Sequence, residues 1–253
     1  MTRLFGLALS ALILVSLALP LTTTATRAAD DTTANPDRPT VEKWVRDYLV
    51  NNPEVIVEAL EVLQNRQQAM EQRQQRDLIA AMNLQFADDP LTYVAGNPDG
   101  DVTIYEFFDY KCGYCKKALA TVLELLEDDK NLRFVMMELP ILSEESGLAA
   151  KAALAAIDQG KYFEFHNNLM MARGTLSEGR IFEMATAAGM DAAKLAKRMQ
   201  DKDIEAALTR NQQLAVGLGI RGTPGFIVGD TILRGALPID DFRAAIKDAR
   251  GKS

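Results

Sequence analysis

The chain has only two cysteines among its 253 residues, and they lie three positions apart in the segment Cys112-Gly113-Tyr114-Cys115. A run typical of a β-strand, Val102 to Phe108, precedes them, and a helix-forming run begins at Lys116. An intramolecular disulfide can therefore join only these two residues. If both lie in the first helical turn, their Cα atoms are about 5 Å apart, which is within disulfide range. Since so short a loop contributes little entropic stabilisation, the spacing predicts a redox-active pair.

The two cysteines are expected to have different roles. Thiol–disulfide exchange needs a thiolate, and an ordinary thiol with a pKa of about 8.5 is mostly protonated at neutral pH. Cys112 is predicted at a helix N-terminus, where unpaired N–H groups and the helix dipole favour negative charge. Cys115 lies one turn further into the helix and is expected to be shielded. We therefore predict that Cys112 attacks and Cys115 resolves. Nearby lysines add positive charge that one aspartate partly opposes: Lys111, Lys116, Lys117 and Asp109.

Two other interpretations of the cysteines are half of a metal site and a pair of unpaired core residues. A four-ligand zinc site needs more cysteine or histidine than this chain has, since His166 is its single histidine. His166 lies in an aromatic helical stretch and is interpreted as a packing or surface residue. We predict no metal site and no cofactor besides the dithiol.

The N-terminus has the organisation of a secretory signal peptide. Arg3 gives a positive start, residues 4–21 are almost wholly apolar, and several alanines precede Asp30. We predict that residues 1–29 are removed and that the remaining chain is a soluble periplasmic protein. The apolar run is close to the minimum length of a membrane span, so an uncleaved anchor is the alternative. Export would place the cysteines where disulfides persist.

The charge of the chain excludes some partners. Loss of the signal peptide takes Arg3 and Arg27 from the 28 basic residues and none of the 35 acidic residues, so the net charge becomes about −9. A chain this acidic is a poor ligand for nucleic acid or for an anionic membrane.

Residues 30–90 are predicted to form an N-terminal helical extension. Polar residues 30–39 contain two prolines and indicate a flexible leader. The run from Thr40 to Lys43 resembles a capping box at the start of a short helix that ends near Leu49.

A second helix of the extension is predicted from Glu54 to about Phe86, with Pro53 suited to its first position. Its apolar stripe turns polar at Gln67 and Gln74, so we expect it to bury little against its own domain. We predict an oligomerisation segment, and the alternative is a charged linker helix in a monomer.

Residues 91–253 are predicted to form one α/β domain. The predicted strands are 92–95, 102–108, 132–139, 226–228 and 231–234; the helices are 116–128, several between 143 and 219, and one after Leu237. This order is βαβ, helical insertion, ββα. It predicts a thioredoxin-type fold with an inserted helical domain at about 143–219.

A second motif lies directly before the fourth predicted strand, in Gly222-Thr223-Pro224-Gly225. Proline at a strand start between glycines suits a tight turn whose X-Pro bond is either cis or trans. In a thioredoxin-type fold such a loop lies against the reactive cysteine, so the two motifs together indicate one site.

The motifs Glu106 to Lys116 and Gly222 to Gly225 together resemble the DsbA family of periplasmic disulfide oxidoreductases, and the resemblance extends from about Tyr93 to the C-terminus. Within that family the chain is most similar to the suppressor-of-copper-sensitivity C members, which carry a helical extension similar to Tyr48 to Ile56. The resemblance implies a cis-Pro loop at Thr223-Pro224 whose backbone pairs with an extended substrate. It also implies that Glu106 is a buried proton shuttle near Cys115. From the residues alone, Glu106 could equally be a polar residue on an exposed strand face.

The resemblance implies exchange of disulfides with reduced or misfolded exported proteins and recycling by a membrane redox partner. The dipeptide Gly113-Tyr114 is similar to that of the dimeric isomerase DsbC and differs from that of the oxidising DsbA. Together with a predicted homo-oligomer, for which a trimer is one form, it favours an isomerase or reductase over a dithiol oxidase. An alternative of another class is a copper-protective protein that holds Cu(I) between its two thiolates.

Overall fold

The computed structural model describes residues 35–86 and 89–252. Two compact units divide the chain, and the division falls between Ala59 and Leu60, within helix α2. In chain order the elements are α1 (Arg38–Asn51), α2 (Glu54–Gln85), β1 (Tyr93–Gly96), β2 (Val102–Phe108), α3 (Gly113–Asp128), β3 (Leu132–Glu138), α4 (Glu144–Ala156), α5 (Tyr162–Met171), α6 (Glu178–Ala187), α7 (Ala192–Arg198), α8 (Lys202–Gly217), β4 (Gly225–Val228), β5 (Thr231–Arg234) and α9 (Ile239–Lys252).

The first unit contains α1 and the beginning of α2. Helix α1 begins earlier than the predicted capping box, because the side chain of Asp37 accepts a hydrogen bond from the N–H of Thr40 and Pro39 occupies the first turn. None of the residues of α1 is buried, and Trp44 and Tyr48 are each 58% exposed. These apolar side chains, four positions apart, lie on one face of the helix and are uncovered in the single chain.

The second unit is built on a five-stranded sheet with the order β1-β3-β2-β4-β5. Strands β2 and β3 are parallel and are joined by α3, while the other neighbours are antiparallel. Helices α4 to α8 form the insertion between β3 and β4. The predicted α/β fold with an inserted helical region and N-terminal helices is confirmed.

Successive side chains of the central strands point to opposite faces of the sheet, and each face has its own core. Ile104 and Phe108 of β2 lie on the face that packs against α3, α9 and the insertion, together with both cysteines. Tyr105 and Phe107 lie on the opposite face, which we call the back face. The cysteine motif and the insertion therefore share one side of the sheet.

The end of α2 covers the back face. Ile79, Met82 and Phe86, spaced by three and four residues, are all buried in the core of that face. The hydroxyl of Tyr105 donates to Asn83 Oδ1 at 2.7 Å. Our expectation that this helix would bury little against its own domain is wrong for its last turns, because an apolar stripe resumes after the polar segment.

No helix in the ranges 35–86 and 89–252 is both long and apolar enough to cross a bilayer. The predicted signal peptide, residues 1–29, lies outside the described residues.

Candidate active site

Cys112 is the N-cap residue of α3, directly after the loop that leaves strand β2. Its Sγ accepts a hydrogen bond from the backbone N–H of Cys115 at 3.4 Å. The cap position arises because the extended backbone of Cys112 ends the loop and leaves the first N–H groups of the helix without intrahelical partners. Negative charge on this sulfur would be stabilised by that N–H and by the helix dipole. The side chain is only 6% exposed.

Cys115 lies one turn deeper and is 1% exposed. Both cysteines are free thiols, so the structure is that of the reduced pair. Burial raises the pKa of the Cys115 thiol far above its ordinary value, and the neighbouring sulfur of Cys112 adds to this. Cys115 therefore keeps its proton at neutral pH unless a nearby base removes it.

The loop before β4 lies against the first cysteine. The Thr223–Pro224 peptide bond is cis, and the thiol of Cys112 donates to the carbonyl oxygen of Thr223 at 3.2 Å. A Cβ on Gly225 would come within 2.6 Å of a methyl of Ile220, so only glycine fits at this strand start. The two motifs that are 111 residues apart in the sequence thus meet in one site.

Glu106 lies on the cysteine side of the sheet. It occupies the same face of β2 as Ile104 and Phe108, opposite Met136 of β3 and Phe226 of β4. Its side chain is 3% exposed, and burial raises its pKa to about 8. Of the two placements that the residues alone allowed, the structure has the buried one. A carboxyl with this pKa can exchange a proton close to neutral pH.

The lysines around the cysteines are engaged with the insertion. Lys111 forms an ion pair with Glu145 and also donates to the carbonyl oxygen of Gly174. Lys116 Nζ donates to three carbonyl oxygens at the end of α5, and Lys117 lies over the ring of Tyr114. The contacts of Lys111 and Lys116 join the segment around the cysteines to the insertion, whereas Lys117 contacts a ring within α3 itself.

Asp109, predicted only as an opposing charge, fixes the loop that carries Cys112. Its two carboxylate oxygens accept hydrogen bonds from the N–H groups of Lys111, Ile141 and Leu142 and from the hydroxyl of Ser146. With these four donors the buried carboxylate ties the end of β2 to the start of α4.

Sequence reasoning missed a buried polar cluster beside this loop. Glu138 Oε1 accepts hydrogen bonds from the hydroxyls of Tyr110 and Tyr162, each at 2.8 Å, and the Tyr110 hydroxyl lies 3.0 Å from His166 Nδ1. Burial raises the pKa of Glu138 well above its usual value, and the hydrogen bonds from the two tyrosines offset this rise only in part. The signal that could have found it is an acidic residue at the end of an otherwise apolar strand.

His166 belongs to this cluster and is 1% exposed. Burial lowers its pKa to about 3, so the ring is neutral at physiological pH. It stacks with Phe163 and Tyr162. The structure therefore places His166 as a buried packing residue of α5.

No group of three or more histidine, cysteine or acidic side chains arranged to hold a metal ion occurs within residues 35–86 and 89–252.

Comparison with known proteins defines the family. A family model described as thioredoxin matches residues 87–248, well over half of the chain. The chain belongs to the thioredoxin family. A second model, described as the copper resistance protein ScsC N-terminal domain, matches residues 37–69 in the helical extension.

Solved structures place the chain near DsbA-like and ScsC proteins. A thioredoxin-like oxidoreductase from Silicibacter pomeroyi is 42% identical with a TM-score of 0.63, over 65% of this chain and 95% of that one. ScsC of Proteus mirabilis in a transitional conformation is 29% identical with a TM-score of 0.64, over 85% and 97%. The thiol-disulfide exchange protein α-DsbA2 of Wolbachia pipientis is 28% identical with a TM-score of 0.64, over 70% and 96%. The resemblance predicted from the sequence is confirmed.

Curated relatives include much longer proteins. The Na(+)/H(+) antiporter NhaA 1 of Salinispora arenicola is 30% identical over 62% of this chain and 24% of its own length. This chain therefore spans about a quarter of that antiporter. Disulfide bond formation protein D of Bacillus subtilis is 24% identical over 63% of this chain and 78% of its own length.

Proposed function

We propose that this protein is a periplasmic thiol–disulfide oxidoreductase of the DsbA and ScsC type that exchanges disulfides with exported proteins. The observation that carries the proposal is the position of Cys112. Its sulfur lies at the N-terminus of α3 and 3.2 Å from the carbonyl oxygen of Thr223, next to a cis-proline, while Cys115 is buried one turn below. A structural disulfide would need neither the helix N-terminus nor that loop.

The reaction follows from the two environments. The thiolate of Cys112 attacks one sulfur of a substrate disulfide, the substrate S–S bond breaks, and one substrate cysteine leaves as a thiolate. Cys115 then loses its proton and attacks Cys112, which forms the Cys112–Cys115 disulfide and releases the second substrate thiolate. The substrate gains the two electrons that the protein loses, and the reverse sequence oxidises a dithiol.

Glu106 and the cis-Pro loop have supporting roles in this proposal. Glu106, with its pKa raised to about 8, is the base that accepts the proton of Cys115 during resolution and returns it to a leaving thiolate. The backbone of Thr223, with Pro224, pairs with an extended substrate segment beside Cys112. The role of Glu106 is supported by its burial on the strand face that the cysteines share.

We propose that the protein acts as a disulfide isomerase or reductase, and the alternative is a dithiol oxidase. An isomerase benefits from several active sites around one substrate, and the helical extension offers the means to assemble them. Its uncovered apolar residues, including Trp44 and Tyr48, are suited to contact other copies of the chain in a homo-oligomer, for which a trimer is one form. A membrane redox partner would recycle the dithiol.

The first test is recovery of a scrambled-disulfide protein in glutathione buffer by the chain from Asp30 onward. We expect strong recovery, and Cys112→Ser should abolish it. Rapid oxidation of a reduced substrate without recovery would make the protein an oxidase. Inactivity in both assays would contradict the oxidoreductase proposal.

The oligomer is tested in the same chain with Trp44→Asp and Tyr48→Asp. Charged groups on this apolar face should dissociate the assembly in light-scattering measurements and reduce recovery, while simple oxidation of a dithiol peptide continues. Gln67→Asp, at an exposed polar position of α2, is the matched control. A monomeric parent protein, or variants that keep both the assembly and the recovery, would reject the role of the extension.

A copper-protective function is the second candidate, because two reduced thiols lie together and the extension matches a model described as a copper resistance protein. Soft thiolates suit Cu(I). A copper carrier should bind Cu(I) stoichiometrically through both cysteines and fail to rearrange disulfides.

A further inference from the structure

Basic side chains from both sides of the cysteine pair converge on the loop between α5 and α6. Four consecutive carbonyl oxygens of this loop, those of residues 172–175, each accept a hydrogen bond from a cationic group. The pairs are Lys116 with Ala172 at 2.7 Å, Arg180 with Arg173 at 2.6 Å and with Thr175 at 3.1 Å, and Lys111 with Gly174 at 3.1 Å. Carbonyl groups are neutral, so these bonds fix the cations in place and leave their charge uncancelled.

Acidic groups compensate this cluster in part. Glu145 pairs with Lys111, and the buried Asp109 attracts Lys116. The pKa of Lys116 is nevertheless lowered, first by burial and then by the positive charges of Lys111 and Arg180. Lys111 and Arg180 are therefore close enough to Lys116 for their positive charges to act on it, in addition to the larger effect of burial.

Two further basic side chains extend the cluster to the surface. Arg173 is exposed, and its backbone lies between the carbonyl groups that Lys116 and Lys111 hold. Lys117 is also exposed, and its Nζ lies 5.1 Å from the ring centroid of Tyr114, which stands 63% exposed between the two cysteines. We call these five residues the basic rim: Lys111, Lys116, Lys117, Arg173 and Arg180.

The sign of the basic rim is opposite to that of the molecule. The whole chain carries a formal charge of −7, whereas the five cations of the basic rim outnumber the two acidic residues that interact with them directly, Asp109 and Glu145. Two acidic residues near the insertion, Glu144 and Glu178, lie in the first turns of α4 and α6, where helix N-termini attract their charge. A local field of this kind raises the rate at which oppositely charged ligands reach a site.

Resting on the proposed oxidoreductase function, we propose that the basic rim selects substrates whose reactive cysteines are flanked by acidic residues. An extended segment held at Thr223 with its sulfur on Cys112 would carry its neighbouring side chains past Lys117 and Arg173. Aspartate or glutamate at those positions would meet cations, while lysine or arginine would be repelled. The effect acts mainly on the rate of encounter.

The test uses reduced chain from Asp30 onward and three disulfide peptides that differ only beside their cysteines, where they carry Asp, Asn or Lys. Stopped-flow measurements give the second-order rate constant for reduction of each peptide. We expect the Asp peptide to react about ten-fold faster than the Asn peptide at low ionic strength and the Lys peptide to react slowest. High ionic strength should bring the three rates together.

Arg173→Gln with Lys117→Gln should remove most of the preference for the Asp peptide, measured as the ratio of the Asp to the Asn rate, because any change in the reactivity of Cys112 affects both peptides alike. Lys247→Gln with Lys202→Gln is the matched control, because it removes the same two positive charges from exposed positions on α9 and α8. Its ratio of Asp to Asn rates should equal that of the parent chain.

The outcomes separate the two levels of the proposal. If the Asn peptide is reduced and the Asp peptide is no faster, or if the double variant keeps the preference, the basic rim does not select substrates. If none of the peptides is reduced by the parent chain, the oxidoreductase proposal itself fails.

Discussion

The two faces of the central sheet are built from the same strands and differ in what they bury. The back face packs Phe107, Met137 and Ile227 against the end of α2 in an almost wholly apolar core. The cysteine face buries Glu106, Glu138, Asp109 and His166 among its apolar residues. Apolar burial stabilises a fold, whereas burial of carboxyl groups costs stability unless they are satisfied or neutral. We infer that the back face contributes stability without buried carboxyl groups, whereas the larger core of the cysteine face also holds the titratable groups near the cysteines.

Among the substitutions considered, Met82→Ala on the back face is expected to have the largest effect on stability. Met82→Ala should reduce the free energy of unfolding by about 3 kcal/mol, because the side chain is fully buried and its removal leaves a cavity. Chemical denaturation measures the loss. The rate with which Cys112 reacts should stay unchanged under native conditions. If Met82→Ala is as stable as the parent chain, or if its Cys112 reacts at a different rate, the two faces do not have separate roles.

Glu106→Gln tests the cysteine face through activity. Resolution of a mixed disulfide between Cys112 and glutathione should slow by about 100-fold, since Gln cannot accept the proton of Cys115. At saturating oxidised glutathione, attack by Cys112 releases a first glutathione and resolution by Cys115 releases a second. The rate of the second release measures resolution. Attack by Cys112 itself should keep its rate and serves as the internal control. Unchanged resolution would assign the proton to another group.

The same substitution has the opposite effect on stability, and the effect depends on pH. The pKa of Glu106 is raised to about 8, so the folded state keeps a proton that the unfolded state loses above its ordinary value of 4.5. The stability of the parent chain should therefore fall by up to about 1.4 kcal/mol per pH unit between those values, relative to Glu106→Gln.

Denaturation curves at pH 5, 6, 7 and 8 would measure this difference. The pKa of His166 is lowered to about 3, so the stability that its neutral ring contributes is lost as pH falls below the ordinary pKa of histidine. Both chains contain His166, so this loss cancels in the comparison. Parallel pH dependences for the two chains would mean that Glu106 is ionised at little cost.

The smallest effects on stability are expected when one buried tyrosine hydroxyl is removed from each face of the sheet. Tyr105→Phe removes the bond to Asn83 on the back face, and Tyr162→Phe removes one of two bonds to Glu138. Each should cost about 1 kcal/mol in unfolding measurements. Only Tyr162→Phe should change the pH dependence of stability, because it removes a donor from a titratable group. If both variants show the same pH dependence of stability, Glu138 does not titrate in the pH range measured.

Much of the chemistry could be predicted from short segments. The spacing of Cys112 and Cys115 before a helix-forming run predicted that one cysteine begins the helix and the other lies one turn inside it, because the geometry of one helical turn does not depend on distant contacts. The order of strands and helices predicted the fold class, since alternation and helical periodicity are local properties of the chain.

Contacts between distant segments could not be predicted in the same way. Asp109 and Lys116 looked like charges near a thiol, but they hold the amides of another loop and the carbonyls at the end of α5. Met82 lies in a helix whose visible stripe had turned polar, and its partner surface is a sheet that begins after it.

Local sequence patterns predicted a redox pair, the order of the helices and strands, and a tight turn at Gly222 to Gly225. The tertiary structure alone decided that Glu106 is buried, that Glu138 is surrounded by two tyrosines, and that cations converge beside the cysteines. The physical reason is that burial and electrostatic fields depend on every group within a few ångströms, and those groups come from segments far apart in the chain.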